Sequence, residues 1–163
     1  MPDQMELVAL FALGFFTLLV AGVFQAFSDF VMAGLKRACP SAGAEVMQHI
    51  NRTVFKSVFL VSLLAIAPLS AALALYAAFN MEGSSRALTI SAAVIYIPAV
   101  FLVTAAANVP RNERLDKMAA YSNEGRDYWA VYLREWTGWN HVRTLGSAAA
   151  GAIYILAAIT LQS

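Results

Sequence analysis

Charged side chains are absent from four long runs of this chain, residues 7–28, 57–81, 87–110 and 144–163. Each is close to the ~20 residues with which a helix crosses a ~30 Å hydrocarbon core. Their apolar character is continuous rather than alternating. That pattern predicts helices and excludes the strands of a membrane barrel. The expected architecture is all-α: a four-transmembrane-helix bundle with amphipathic cytoplasmic helical extensions. It forms a single domain over residues 1–163, with approximate spans 7–28, 57–80, 87–109 and 144–162.

The connections carry their own periodicity. A loop through Lys36 leads to Pro40, and Ser41 is the expected N-cap of the first extension. From Ala42, Met47, Ile50, Val54 and Val58 form an apolar stripe with Asn51 inside it, and Gln48, Arg52 and Lys56 fall on the other face. This helix is predicted to run straight into the second span. In the second extension Tyr128, Tyr132, Trp136, Trp139, Asn140 and Arg143 recur at spacings of three and four, a helical face that enters the membrane at Thr144. The turn at residues 80–85 makes spans two and three antiparallel neighbours. Pro68 and Pro98 lie inside spans and are expected to kink them. Ser70, Ala74 and Ala78, and Ser147 and Gly151, are four apart, which permits close helix contact within the monomer or across a homo-oligomer seam.

Charge adds an orientation. Lys36, Arg37, Arg52, Lys56, Arg111, Arg114, Lys117, Arg126, Arg134 and Arg143 fall on one side, and Arg86 alone on the other. By the positive-inside bias both large connections are cytoplasmic and both termini lie outside the cytoplasm. The leader holds Asp3 and Glu6 and no Lys or Arg, so the first span reads as a retained helix and not a signal peptide. A composition that is 60% hydrophobic and 13% charged is far from a soluble average. A net charge of +1 gives no nucleic-acid signature. Cys39, the single cysteine, has no partner for a disulfide or a zinc site and reads as a spectator thiol.

Candidate chemistry sits where the helices meet the cytoplasmic boundary. Asp29 closes span one, Asn51 precedes span two, Asn108 closes span three, and Asn140, His141 and Arg143 open span four. Polar groups near lipid are costly unless paired, so these are expected to converge in the bundle. Plainer roles stand beside that one. Asp29 can face water and pair with Lys36 or Arg37, the asparagines can cap or glue helices, and Arg143 can snorkel to headgroups. Trp136 and Trp139 can form an interfacial aromatic belt. His49 and His141 are at similar depth, so a haem or copper pair is conceivable. His49 lies on the polar face beside Gln48 and Arg52, which argues against it, and no metal site is predicted. No HExxH, phosphate loop, CxxC or nucleophile elbow is present.

Four motifs in order carry a family resemblance. They are Gly22-Val-Phe with Phe27-Ser-Asp-Phe-Val-Met32; Met47-Gln48 with Ile50-Asn51-Arg-Thr53; Asn108-Val-Pro110 with Asn112; and Trp136 with Trp139-Asn-His-Val-Arg-Thr144. Over nearly its whole length the chain resembles the anthrone oxygenase-like family of small four-helix membrane proteins. The resemblance implies the fold. It also implies the activity of the fungal members, which oxidise polyketide anthrones to anthraquinones with molecular oxygen and neither metal nor flavin; no cofactor is expected. By position the family motifs fall on Asp29, Asn51, Asn108, Asn140, His141 and Arg143, whereas His49 is outside the pattern. An anthrone has acidic C–H bonds opposite its carbonyl, so the chemistry needs a base and donors for the anion. His141 is the expected base, oriented by Asp29, with Arg143 and Asn140 on the oxyanion. Asn51, Asn108, Tyr128, Tyr132, Trp136 and Trp139 are the expected substrate-binding set for a flat apolar phenolic molecule drawn from the bilayer. The alternatives are a haem- or quinone-binding redox protein using His141, and a non-enzymatic membrane subunit that docks a partner.

Overall fold

The computed structural model describes residues 4–162. Among them there are only helices and short connections. Four helices are long and apolar enough to cross a membrane: α1 (Gln4–Arg37), α3 (Val58–Asn80), α4 (Gly83–Asp116) and α5 (Asn123–Leu161). The shorter α2 (Pro40–Thr53) lies between α1 and α3. The chain thus has the make-up of a multi-pass integral membrane protein. Large apolar side chains such as Phe15, Val61, Leu69, Phe79 and Leu145 are exposed, a surface that suits acyl chains and not water.

α5 is the centre of the bundle. It packs along α1 on one side and α4 on the other, and α3 closes the ring against α1 and α4. Missing side chains allow that approach. A Cβ on Gly146 would stand 2.6 Å from the Ala99 Cβ, and one on Gly151 would stand 2.8 Å from the Leu18 Cγ. Ala99 has no flexible end to yield, so its helix must shift. Gly146→Ala is expected to cost about 1–3 kcal/mol by overpacking. Thermal unfolding in detergent checks this, and an unchanged midpoint would contradict the packing.

Several boundaries differ from the sequence expectation. α1 continues as helix to Arg37 instead of giving way to a loop. α2 begins with Cys39 as N-cap and Pro40 in its first turn, because a proline there needs no donor; Ser41 is buried and does not cap. α2 also does not run into α3. A single 3-10 turn over Val54–Lys56 and an extended Ser57 separate them, and the Ser57 Oγ caps α3 by accepting from the Leu60 N–H at 3.2 Å. Gln48 faces inward, donating to the carbonyls of Leu115 (2.7 Å) and Met118 (2.8 Å). With the Arg52–Asp116 ion pair at 2.7 Å and the Tyr121–Glu45 hydrogen bond at 2.9 Å, it ties α2 to the α4–α5 connection. That last bond raises the Tyr121 pKa above its ordinary value.

Pro68 is carried within α3 as helix. Pro98 instead falls in a π-helical turn, Ile97–Leu102, and a second one follows at Thr104–Asn108. α1 has its own, Phe27–Val31. Such bulges insert an extra residue into the ladder and are frequent at functional sites.

Candidate functional site

The π turns of α1 and α4 flank the same stretch of α5. Trp136, Asn140 and Arg143 recur there at helical spacing and point inward, and all three are buried. Arg143 is 5% exposed. Its Nη2 donates to the Asn140 Oδ1 at 2.7 Å and its Nη1 to the Thr104 Oγ1 at 3.4 Å. The guanidinium carbon lies 4.3 Å from the ring centre of Phe24 and 5.1 Å from that of Trp136. Both faces therefore supply cation–π attraction. No carboxylate among the described residues pairs with it, and its Nε has no partner.

The shell around it is neutral and tightly bonded. Asn140 donates through Nδ2 to the Phe24 carbonyl and to the Ser28 Oγ, both at 2.7 Å. Ser28 also meets the Thr144 hydroxyl at 3.2 Å. Ser147 donates to the Arg143 carbonyl at 2.6 Å. Asn108 donates to the Trp136 carbonyl at 3.2 Å, which leaves its Oδ1 free; the Trp136 Nε1 is also without a partner. Native interiors leave few buried polar atoms unpaired. Three of the six such atoms among the described residues, Arg143 Nε, Trp136 Nε1 and Asn108 Oδ1, lie on adjoining residues of this cluster.

An aromatic column runs from this cluster toward the α2 end. Trp136 stacks on Tyr132 (centroids 5.9 Å apart), and Tyr132 on Trp129 (5.6 Å). Phe27 closes on Trp136 at 5.7 Å. The Tyr132 hydroxyl donates to the Asn112 Oδ1 at 2.8 Å and accepts from Asn51 at 3.5 Å. Tyr128 packs against Tyr132 and lies under the Arg114 guanidinium, 4.3 Å away.

The expected cluster is therefore assembled in part. Asn108, Asn140, Arg143 and Trp136 come together, and Asn51 joins through Tyr132. Arg143 does not snorkel. His141 and Asp29 do not join: both are exposed, and Asp29 makes no ion pair with Lys36 or Arg37 among the described residues. The reason is the ~100° turn per residue. His141 follows the inward Asn140 and Asp29 follows Ser28, so each is rotated away from the interior. Trp139, 40% exposed, is turned outward likewise. Tyr128 and Tyr132 are engaged with one another and with Trp129 rather than presenting a free face. Thr104 and Trp129, which the sequence reading passed over, belong here, as do Phe24, Phe27 and Asn112, which it quoted only among the family motifs. Thr104 lies one turn before Asn108, Asn112 one turn after it, and Trp129 one turn before Tyr132, so helical spacing was the available signal.

His49 and His141 are exposed on different helices, and no group of three His, Cys, Asp or Glu suited to a metal exists among the described residues. A groove of about 610 Å³ between α1 and α3, lined by residues such as Ala12, Phe16, Ala65 and Leu69, is apolar and includes none of the cluster.

No curated protein and no solved structure matches the chain. A family model does: residues 46–153 match that described as anthrone oxygenase, a stretch that starts within α2, covers α3 and α4, and includes Trp136, Asn140 and Arg143 on α5. With most of its length so matched, this chain belongs to the anthrone oxygenase family.

Proposed function

We propose that the chain is a membrane-embedded oxygenase whose substrate is a flat apolar aromatic of the anthrone type, held as its anion against Arg143. Family membership supports an oxygenase-like function in general. The observation that carries the finer reading is the buried guanidinium, with which no carboxylate among the described residues pairs. A fixed positive charge in dry surroundings acts on a developing anion far more strongly than one in water.

The reaction then runs through the substrate's own acidity. Loss of a C–H proton gives an electron-rich enolate with its oxygen on Arg143. The enolate passes one electron to dioxygen, the radical pair joins in a C–O bond, and loss of water leaves the quinone carbonyl. One anthrone and one dioxygen give one anthraquinone and one water. Asn140 keeps the guanidinium in place. The inner cluster has no carboxylate or imidazole, so the proton leaves to solvent or to a base outside it. Purified protein should consume oxygen with a model anthrone above the uncatalysed rate. Absence of any excess across several anthrones would refute the activity.

The orientation proposed from lysine and arginine places the α2 end in the cytoplasm and both termini on the other side. A reporter active only in the cytoplasm, fused after Ser163, is expected to be silent; activity there would reverse the topology.

A further inference from the structure

We infer that the groove between α1 and α3 holds an acyl chain of a phospholipid whose headgroup carries a primary ammonium, and that Glu6 receives that ammonium. The inference does not rest on the oxygenase reading. Its first ground is space. The groove holds about 610 Å³ and is lined along α3 from Val61 to Tyr76. At 1.5 Å per residue that is roughly 22 Å of helix. Alanines line it from both sides, Ala9 and Ala12 on α1 and Ala65 and Ala72 on α3, so side chains are short where the two helices would otherwise meet. α3 is also the least buried of the four spanning helices. Volume over length gives a mean cross-section of roughly 28 Å². That suits one extended hydrocarbon chain and is far too little for a helix ~10 Å across.

The second ground is the charge at one end. Glu6 lies one turn before Ala9 on the same face of α1. Tyr76, at the matching end of the α3 lining, donates its hydroxyl to the Glu6 Oε1 at 2.7 Å. No Lys or Arg among the described residues pairs with Glu6. The first uncharged run begins at Leu7, so this carboxylate stands at headgroup level. Apart from Tyr76, and Ser62 near the far end, the lining side chains are hydrocarbon. A long apolar slot under a single carboxylate is the complement of an amphiphile with a cationic head. A primary ammonium donates hydrogen bonds to a carboxylate, a quaternary one has none to give, and an anionic headgroup is repelled. A second copy of the chain is disfavoured as the occupant. A twofold seam through this groove would set two Glu6 carboxylates at one depth, where they repel.

The test uses full-length protein in detergent, freed of lipid. Native mass spectrometry counts bound dioleoyl phosphatidylethanolamine, phosphatidylcholine and phosphatidylglycerol, each titrated alone. The ethanolamine lipid is expected to fill one site about tenfold more tightly than the choline lipid, the factor one charge-assisted hydrogen bond supplies. The glycerol lipid should bind weakest. Glu6→Gln keeps an acceptor for Tyr76 but loses the charge. It should bring the three lipids within about twofold of one another, since a neutral acceptor holds an ammonium far less strongly. Ala72→Phe sets a ring in the groove from an exposed position and should abolish the single site for every lipid. Ala12→Phe fills the groove from α1, also from an exposed position, and serves if the first variant fails to fold. Equal binding of the three lipids, a preference that survives Glu6→Gln, or a single site that survives both fillings would each overturn the inference. So would a mass of two copies, present without lipid and lost in Ala72→Phe, which would give the groove to a second copy. No step reads oxygen uptake, so the proposed function stands or falls separately.

Discussion

Arg143→Met is expected to lower oxygen consumption on a model anthrone by about 10²–10³-fold, the usual loss when a preorganised oxyanion donor is removed. The uncatalysed oxidation is subtracted first. Methionine fills much of the same volume and follows the same path between Phe24 and Trp136. Stability should change little. Removing an unpaired buried charge is favourable, and the lost bond to the Asn140 Oδ1 offsets that gain. Loss of activity with the fold intact is therefore the signature sought. Arg143→Lys keeps a charge but loses the planar fork that reaches Asn140 and Thr104 at once, and should also be impaired. Wild-type uptake by Arg143→Met would remove the guanidinium from the mechanism.

The second large effect is one of pH. With no base inside the cluster, the rate at subsaturating substrate should rise with the fraction of substrate ionised. The inflection should then shift when a more acidic anthrone replaces a less acidic one. His141→Ala should leave rates well short of the ~10²–10⁴-fold loss that removing a general base causes. Rates measured with two anthrones of different acidity, each with and without His141, decide the matter. A pH inflection common to both anthrones, and lost in His141→Ala, would identify the histidine as the base. The substrate would then have to reach the outer face of α5.

Those outcomes bear on what the sequence could reveal. Absence of charge over four runs is a signal averaged over some twenty residues each, which is why the bundle was legible. The inward face of α5 was also legible, because Trp136, Asn140 and Arg143 repeat at helical spacing. Details that hang on one residue were not. His141 and Asn140 are neighbours in sequence, yet one is exposed and the other is fully buried. Depth in the membrane, which the motif order supplies, is the same for both; rotation about the axis is not. The π turns shift that rotation again, since an inserted residue turns everything beyond it. Ser28 sits inside the turn of α1, and a regular helical wheel misplaces such a residue. Gln48 shows the reverse error: by composition it belongs on the wet face, but two backbone carbonyls of a distant connection claim its amide.

The unpaired arginine also has a consequence for how the chain is made. α5 is the least apolar of the four spanning helices and the one most buried within the protein. A helix of that kind with an arginine at its entry gains less from lipid alone than its predecessors do. Its stabilisation comes from Phe24, Ser28 and Thr104, on α1 and α4, which leave the ribosome before it. Synthesis in that order lets the first three spans form a receiving surface. The last one then docks, drawing its guanidinium between two aromatic faces as it does so.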